Sequence, residues 1–160
     1  MQPTSLRPLW IRAGVVGAAM VLLDLPLRTA AAPQGIVSFE LAWTAERAAA
    51  MIDSWTGAAR LAGWGSLLLD YLFMWSYAAL LAALARRTFP TPTGRTLAGA
   101  AWAAAAFDAV ENAALIRMFG WGATEAAAFT AGAFASVKFG LLAVVIVALL
   151  GAVIRRRVAK

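Results

Sequence analysis

Five ionisable residues stand inside stretches of the chain that are otherwise apolar: Asp24, Asp70, Asp108, Glu111 and Lys138. Charged groups are expensive in hydrocarbon, so in a membrane segment they turn toward the interior of a helix bundle or toward a wet cavity. Their spacing supports convergence. Asp108, Glu111 and Asn112 are three and four residues apart and share one face of a helix, as do Asp70, Phe73, Met74 and Tyr77. Thr130, Phe134 and Lys138 form a stripe with the same period. Turned inward together, these faces surround one lysine with several carboxylates. Four acids against one base leave an imbalance that protons, hydration or a bound cation must settle, because unpaired buried charge costs several kcal/mol. Such a layer can bind a cationic or amphipathic ligand, carry protons, or act as a carboxylic proton donor to a lipid. The plainer reading is that it fastens helices, with Lys138 bridged to Asp70 or Asp108 and Asn112 bonded to a neighbouring backbone.

What the chain lacks narrows the chemistry further. With no Cys and no His, thiolate nucleophiles, Cys/His zinc sites, imidazole acid–base catalysis and His-ligated haem are excluded. No cofactor is expected. No metal is expected either, because a lysine within an all-carboxylate cluster opposes a divalent cation.

The elements that must position these groups are membrane helices. Of 160 residues 62% are hydrophobic and only 14% charged, with mean hydropathy +0.76, against about 25% charged in an ordinary soluble domain. Four apolar stretches reach the roughly 20 residues needed to cross a bilayer, at about 9–28, 61–84, 96–118 and 126–153. Proline and glycine punctuate the connections, as in Pro90, Pro92 and Gly94 on one side and Gly120 and Gly122 on the other. The expected fold is all-α: a single four-transmembrane-helix bundle over 1–160, with one or two short interfacial helices in the outer connection at 34–58. A competing reading of the first stretch is a cleaved signal peptide ending at Ala30-Ala31-Ala32. Asp24, Pro26 and Arg28 interrupt that pattern and favour a retained helix.

The net charge of +6 does not point to nucleic acid, because the basic residues cluster at the ends of the apolar runs. Arg7, Arg12, Arg86, Arg87, Arg95, Arg155, Arg156, Arg157 and Lys160 fall on one side, and Arg28, Arg47, Arg60 and Arg117 on the other. The richer side is expected in the cytoplasm, which places both termini there and makes Arg155 to Arg157 a lipid-headgroup cluster. Counting about 1.5 Å per residue from the outer ends puts Asp24 about 6 Å into the bilayer, Glu111 about 9 Å, Asp70 and Asp108 about 14 Å and Lys138 about 18 Å. All five fall in one layer, from the outer interface to near the midplane. In the outer connection Glu40 is the one charge in an apolar run and can dip into this layer from above. Thr44 is a candidate N-cap with Glu46 in the first turn, Gly57 a candidate stop, and Trp43 and Trp55 candidate interface anchors.

The runs Pro33 to Ala42, Leu69 to Phe73, Phe107 to Asn112 and Lys138-Phe139 resemble a family of small uncharacterised bacterial four-helix integral membrane proteins. The resemblance covers nearly the whole chain and implies the inner membrane of a bacterium, but no activity. The layout is more loosely similar to the four-helix sterol-isomerase type of fold, from which the lack of His departs. The leading expectation is therefore an outer-half pocket for a small amphipathic or cationic ligand or for protons. Asp70, Tyr77, Asp108, Glu111, Asn112 and Lys138 would line it, with Glu40 as lid and Asp24 as a weaker member. The alternatives are a membrane enzyme acting on a lipid or isoprenoid, and an accessory subunit. Membrane lipids are expected partners; a protein partner or homo-oligomer stays open.

Overall fold

A computed structural model describes residues 5–158; Lys160, counted above among the inner basic residues, lies outside them. Among the described residues the chain is all-helical. α1 (Arg7–Asp24) ends in a 3₁₀ turn over Leu25–Leu27, and two short helices follow, α2 (Ile36–Glu40) and α3 (Ala45–Ser54). Three long helices complete the chain: α4 (Ala58–Thr88), α5 (Pro92–Trp121) and α6 (Glu125–Val158). Each long helix runs several residues beyond the apolar stretch that announced it. At 1.5 Å per residue they measure about 45–50 Å, more than the roughly 30 Å of hydrocarbon.

Among the described residues three helices are long and apolar enough to cross a membrane: Arg7–Leu27, α4 and α6. α5 is nearly as long as α4 but is not among them, because Asp108, Glu111 and Asn112 stand within it. Its position accounts for that composition. α1 packs on α4, α4 on α5 and α5 on α6, so α5 stands between two neighbours, and Asp108, Glu111 and Asn112 are buried there. Alanines make this close packing possible, with Ala98, Ala101 and Ala104 fully buried. α1 and α6 make no comparable contact with each other.

The outer connection is folded into the bundle. Thr44 caps α3 by accepting from the Arg47 amide at 3.3 Å, with Glu46 in the first turn, and Ala48, Met51 and Ile52 form its buried face. Two expectations need correction. Gly57 does not stop α3, which ends at Ser54; with φ 53° it turns the chain into α4. Trp55 is not an interface anchor. It is 1% exposed, donates its indole N–H to Leu27 O at 2.7 Å, and packs edge-on to Phe39 with ring centroids 5.4 Å apart. Phe119 and Trp64 continue this aromatic cluster, so the apolar residues of the connection cover the outer ends of α4 and α5. Trp43 is half-exposed, lies across Gly132 of α6 and stacks edge-on with Phe129.

Asp24 sets the start of α2. Its Oδ1 accepts the Ile36 amide at 2.8 Å while Oδ2 accepts Arg28 Nε at 3.0 Å. The intervening Gly35 has φ 57° and ψ −127°, a region closed to side chains, and an added Cβ would lie 2.0 Å from Asp24 Oδ1. Replacing Gly35 by Ala is therefore expected to destabilise the protein by about 1–3 kcal/mol and to displace α2. Denaturant unfolding of the purified variant in mixed micelles checks this; an unchanged midpoint would show that Asp24 and Gly35 do not hold α2.

Candidate functional site

Lys138 on α6 is the hub. Its Nζ lies 2.9 Å from Asp108 Oδ1 and 2.8 Å from Glu111 Oε2, both on α5, and 3.4 Å from Glu40 Oε2 on α2. The lysine is 5% exposed, Asp108 2% and Glu111 1%. The spacing of three residues on α5 presents both carboxylates to one point, as the sequence required. Tyr77 on α4 donates its hydroxyl to the other oxygen of Asp108 at 2.8 Å. Asn112, one residue after Glu111, donates Nδ2 to Leu67 O of α4 at 2.7 Å. One polar layer thus joins α2, α4, α5 and α6.

Asp70 belongs to the layer in a different way. It makes none of the ion pairs of Lys138; its carboxyl stands beside that of Asp108 and faces a cleft. That cleft has a volume of about 330 Å³, with Glu40, Asp70, Tyr77, Asp108 and Lys138 at one end. Phe73, Leu81, Leu142 and Ile146 carry it onward as an almost wholly apolar slot. Met20 of α1 and Phe139 of α6 flank it, on the side where α1 and α6 stay apart. Lys138 Nζ also sits 4.8 Å from the centre of the Phe139 ring, a cation–π contact that adds to its stabilisation.

The structure brings together Glu40, Asp70, Tyr77, Asp108, Glu111, Asn112 and Lys138. It leaves out Asp24, whose carboxylate is consumed by the Ile36 amide and Arg28. Asp24 is a structural staple of α2, and it shares the layer's depth without sharing its contacts. Glu40 closes the charged end of the cleft, and burial pushes its carboxyl above the usual range even with Lys138 beside it. One polar residue escaped the sequence reading. Ser66 is fully buried one helical turn before Asp70, and that spacing of four was the available signal.

Much of the layer is fastening, and it has a measurable consequence. Removing the ammonium leaves three carboxylates buried with no countercharge. Lys138→Met is expected to cost about 3–5 kcal/mol, part of it recovered by adding Glu111→Gln. Unfolding of both variants in mixed micelles, followed by tryptophan fluorescence, checks this; equal stability of Lys138→Met and wild type would refute the hub.

Comparison with known proteins returns no matching family, no matching curated protein and no matching solved structure.

Proposed function

We propose that the chain is a multi-pass protein of the bacterial cytoplasmic membrane that binds a small amphipathic cation in the cleft beside Asp70. The observation that carries this reading is the cleft's division into a charged end and an apolar slot. A volume of about 330 Å³ lies at the low end of small-molecule sites, which run from about 300 to 1,000 Å³. The head of such a ligand meets Asp70, the carboxylate that Lys138 does not neutralise, and its chain lies along Phe73, Leu81, Leu142 and Ile146. The gap between α1 and α6 gives a sideways route from the lipid.

A second reading is favoured by the same carboxyl. A proton donor facing an apolar slot also suits an enzyme that protonates a lipid or isoprenoid double bond. Turnover of a labelled lipid by the purified protein separates the two.

The membrane arrangement supporting this function has four crossings, with α5 as the third. The arginine asymmetry supports cytoplasmic termini, since Arg86, Arg87, Arg95 and Arg155 to Arg157 end helices on one side. The short helices α2 and α3 then close the outer face. Because the chain has no cysteine, single substitutions report topology without background. Thr124→Cys is expected to react with an impermeant thiol reagent applied to the outer face, and Thr93→Cys only after permeabilisation. Equal labelling of both from one side would mean that α5 does not cross.

Ligand binding is tested by native mass spectrometry of gently purified protein, followed by titration with dodecyltrimethylammonium. One bound amphiphile is expected in the wild type. Asp70→Asn, which removes the charge, and Leu142→Trp, which fills the slot, should each weaken binding by about tenfold or more, the effect of some 1.4 kcal/mol. Unchanged binding in both variants would overturn the proposal.

A further inference from the structure

Behind the cleft lies a separate small chamber, which shares with it the carboxyls of Glu40 and Asp70. Ser66 and Asn112 complete its polar wall, and Met20 and Leu115 close it with apolar groups. Its volume is about 10 Å³, just enough to admit one water molecule and no more. Two fully buried atoms here, Ser66 Oγ and Asn112 Oδ1, have no hydrogen-bond partner in the protein. Leaving such groups unsatisfied costs about 1–3 kcal/mol each by general experience with buried polar atoms.

Both atoms are available for an identifiable reason. The Asn112 amide nitrogen is committed to Leu67 O at 2.7 Å, which leaves its oxygen turned to the chamber. Serines on these helices ordinarily donate to the carbonyl one turn back, as buried Ser76 does to Leu72 O at 2.6 Å and exposed Ser136 to Gly132 O at 2.8 Å. Ser66 makes no such bond.

We propose that the chamber binds one water molecule that makes Asp70 and Glu40 a proton-exchanging pair. Four groups of the right kind surround it. The water donates to Asn112 Oδ1 and to the Glu40 carboxylate, and accepts from the Ser66 hydroxyl and from the protonated Asp70 carboxyl. All four of its bonds are then made. Transfer is balanced: Asp70 gives its proton to the water as the water gives another to Glu40, so the water is regenerated and one negative charge moves from Glu40 to Asp70. The charged and titratable groups around the pair come from three elements, namely Tyr71 and Tyr77 on α4, Asp108 and Glu111 on α5 and Lys138 on α6; α1 contributes only Met20. α2 contributes Glu40 itself.

The exchange gives the cleft a coupling ion, and that consequence alone rests on the proposed ligand reading. A cation arriving at Asp70 favours its ionised form, and the proton passes through the chamber to Glu40 at the outer end. Neutral Glu40 loses its attraction to Lys138, already the longest of the three contacts at 3.4 Å, so α2 loosens as the ligand seats.

The test is hydrogen–deuterium exchange of the protonated-carboxyl infrared band, read on the full-length protein in lipid nanodiscs without added amphiphile. A band is expected in the wild type and absent in Asp70→Asn. In Ser66→Val, whose methyl groups fill the chamber, its exchange should slow about tenfold, equivalent to about 1.4 kcal/mol on the transfer barrier. Ser66→Ala, which adds no bulk, should slow it less, and supplies the result if Ser66→Val does not fold. Three results would each overturn the proposal: no wild-type band, exchange unchanged by removing the hydroxyl, or a band shifted when sodium replaces potassium, which would place a sodium ion in the chamber. Dodecyltrimethylammonium binding is measured on the same samples. Its absence with the exchange intact would refute the ligand reading and leave the water and the pair standing.

Discussion

A lysine ammonium taken out of water into a bundle interior loses several kcal/mol of hydration, and the rest of this structure is arranged around recovering it. Asp108 and Glu111 repay part of the cost from α5 at 2.9 and 2.8 Å, and Glu40 adds a longer contact from α2. Because these partners lie on different elements, satisfying one charge fixes the relation of α5 to α6 and the position of the outer segment. Tyr77 and Asn112 extend the same layer to α4. The surrounding helices need only small residues to meet closely, which is why alanine dominates the contacts of α5. Polar geometry sets the register, and small-residue packing fills what remains.

The position of Glu40 is decided by backbone chemistry far along the chain from Lys138's helix. Asp24 holds the first amide of α2, and Gly35 supplies the backbone angle that no other residue takes easily. Phe39, on the opposite side of α2 from the solvent, enters the aromatic cluster with Trp55 and Phe119. The helix is too short to be stable alone. It is kept by a cap, an aromatic core and one ion pair, and of these the ion pair carries the charge that lines the cleft. A change at the cleft can therefore alter the ion pair without dismantling the cap or the core.

The polar layer was legible because it depends on helical periodicity: residues three and four apart share a face whatever surrounds them, and Asp108, Glu111, Asn112 and Tyr77 stand as that rule requires. Glu40 was legible for a different reason, as a single charge in an apolar run. Asp24 misled because depth is a property of one helix, whereas partnership depends on how the chain returns, and the turn at Gly35 brings an amide to it first. Trp55 misled similarly. Its type suits a membrane interface, but the buried carbonyl of Leu27 was not predictable from local sequence. A pocket at the charged layer was expected, but its apolar extension along Leu81, Leu142 and Ile146 was not, since a gap between α1 and α6 is a relation among three packed pairs and not a pattern along any one of them.

Charge balance links the fastening layer to the cleft. Glu40, Asp70, Asp108 and Glu111 supply four carboxyls, and Lys138 supplies one ammonium. If fastening were the only purpose, two carboxylates would be more than enough, and an apolar residue at position 70 would be less costly. Asp70 is instead kept against an apolar slot, with Glu40 nearby and with Ser66 and Asn112 turned toward a space of water size. An excess of acids in low dielectric has two remedies, protons or an incoming cation, and each makes the other less necessary. On the proposed reading Asp70 holds its proton while the cleft is vacant and passes it to Glu40 when a cation arrives, so every carboxyl present has a use.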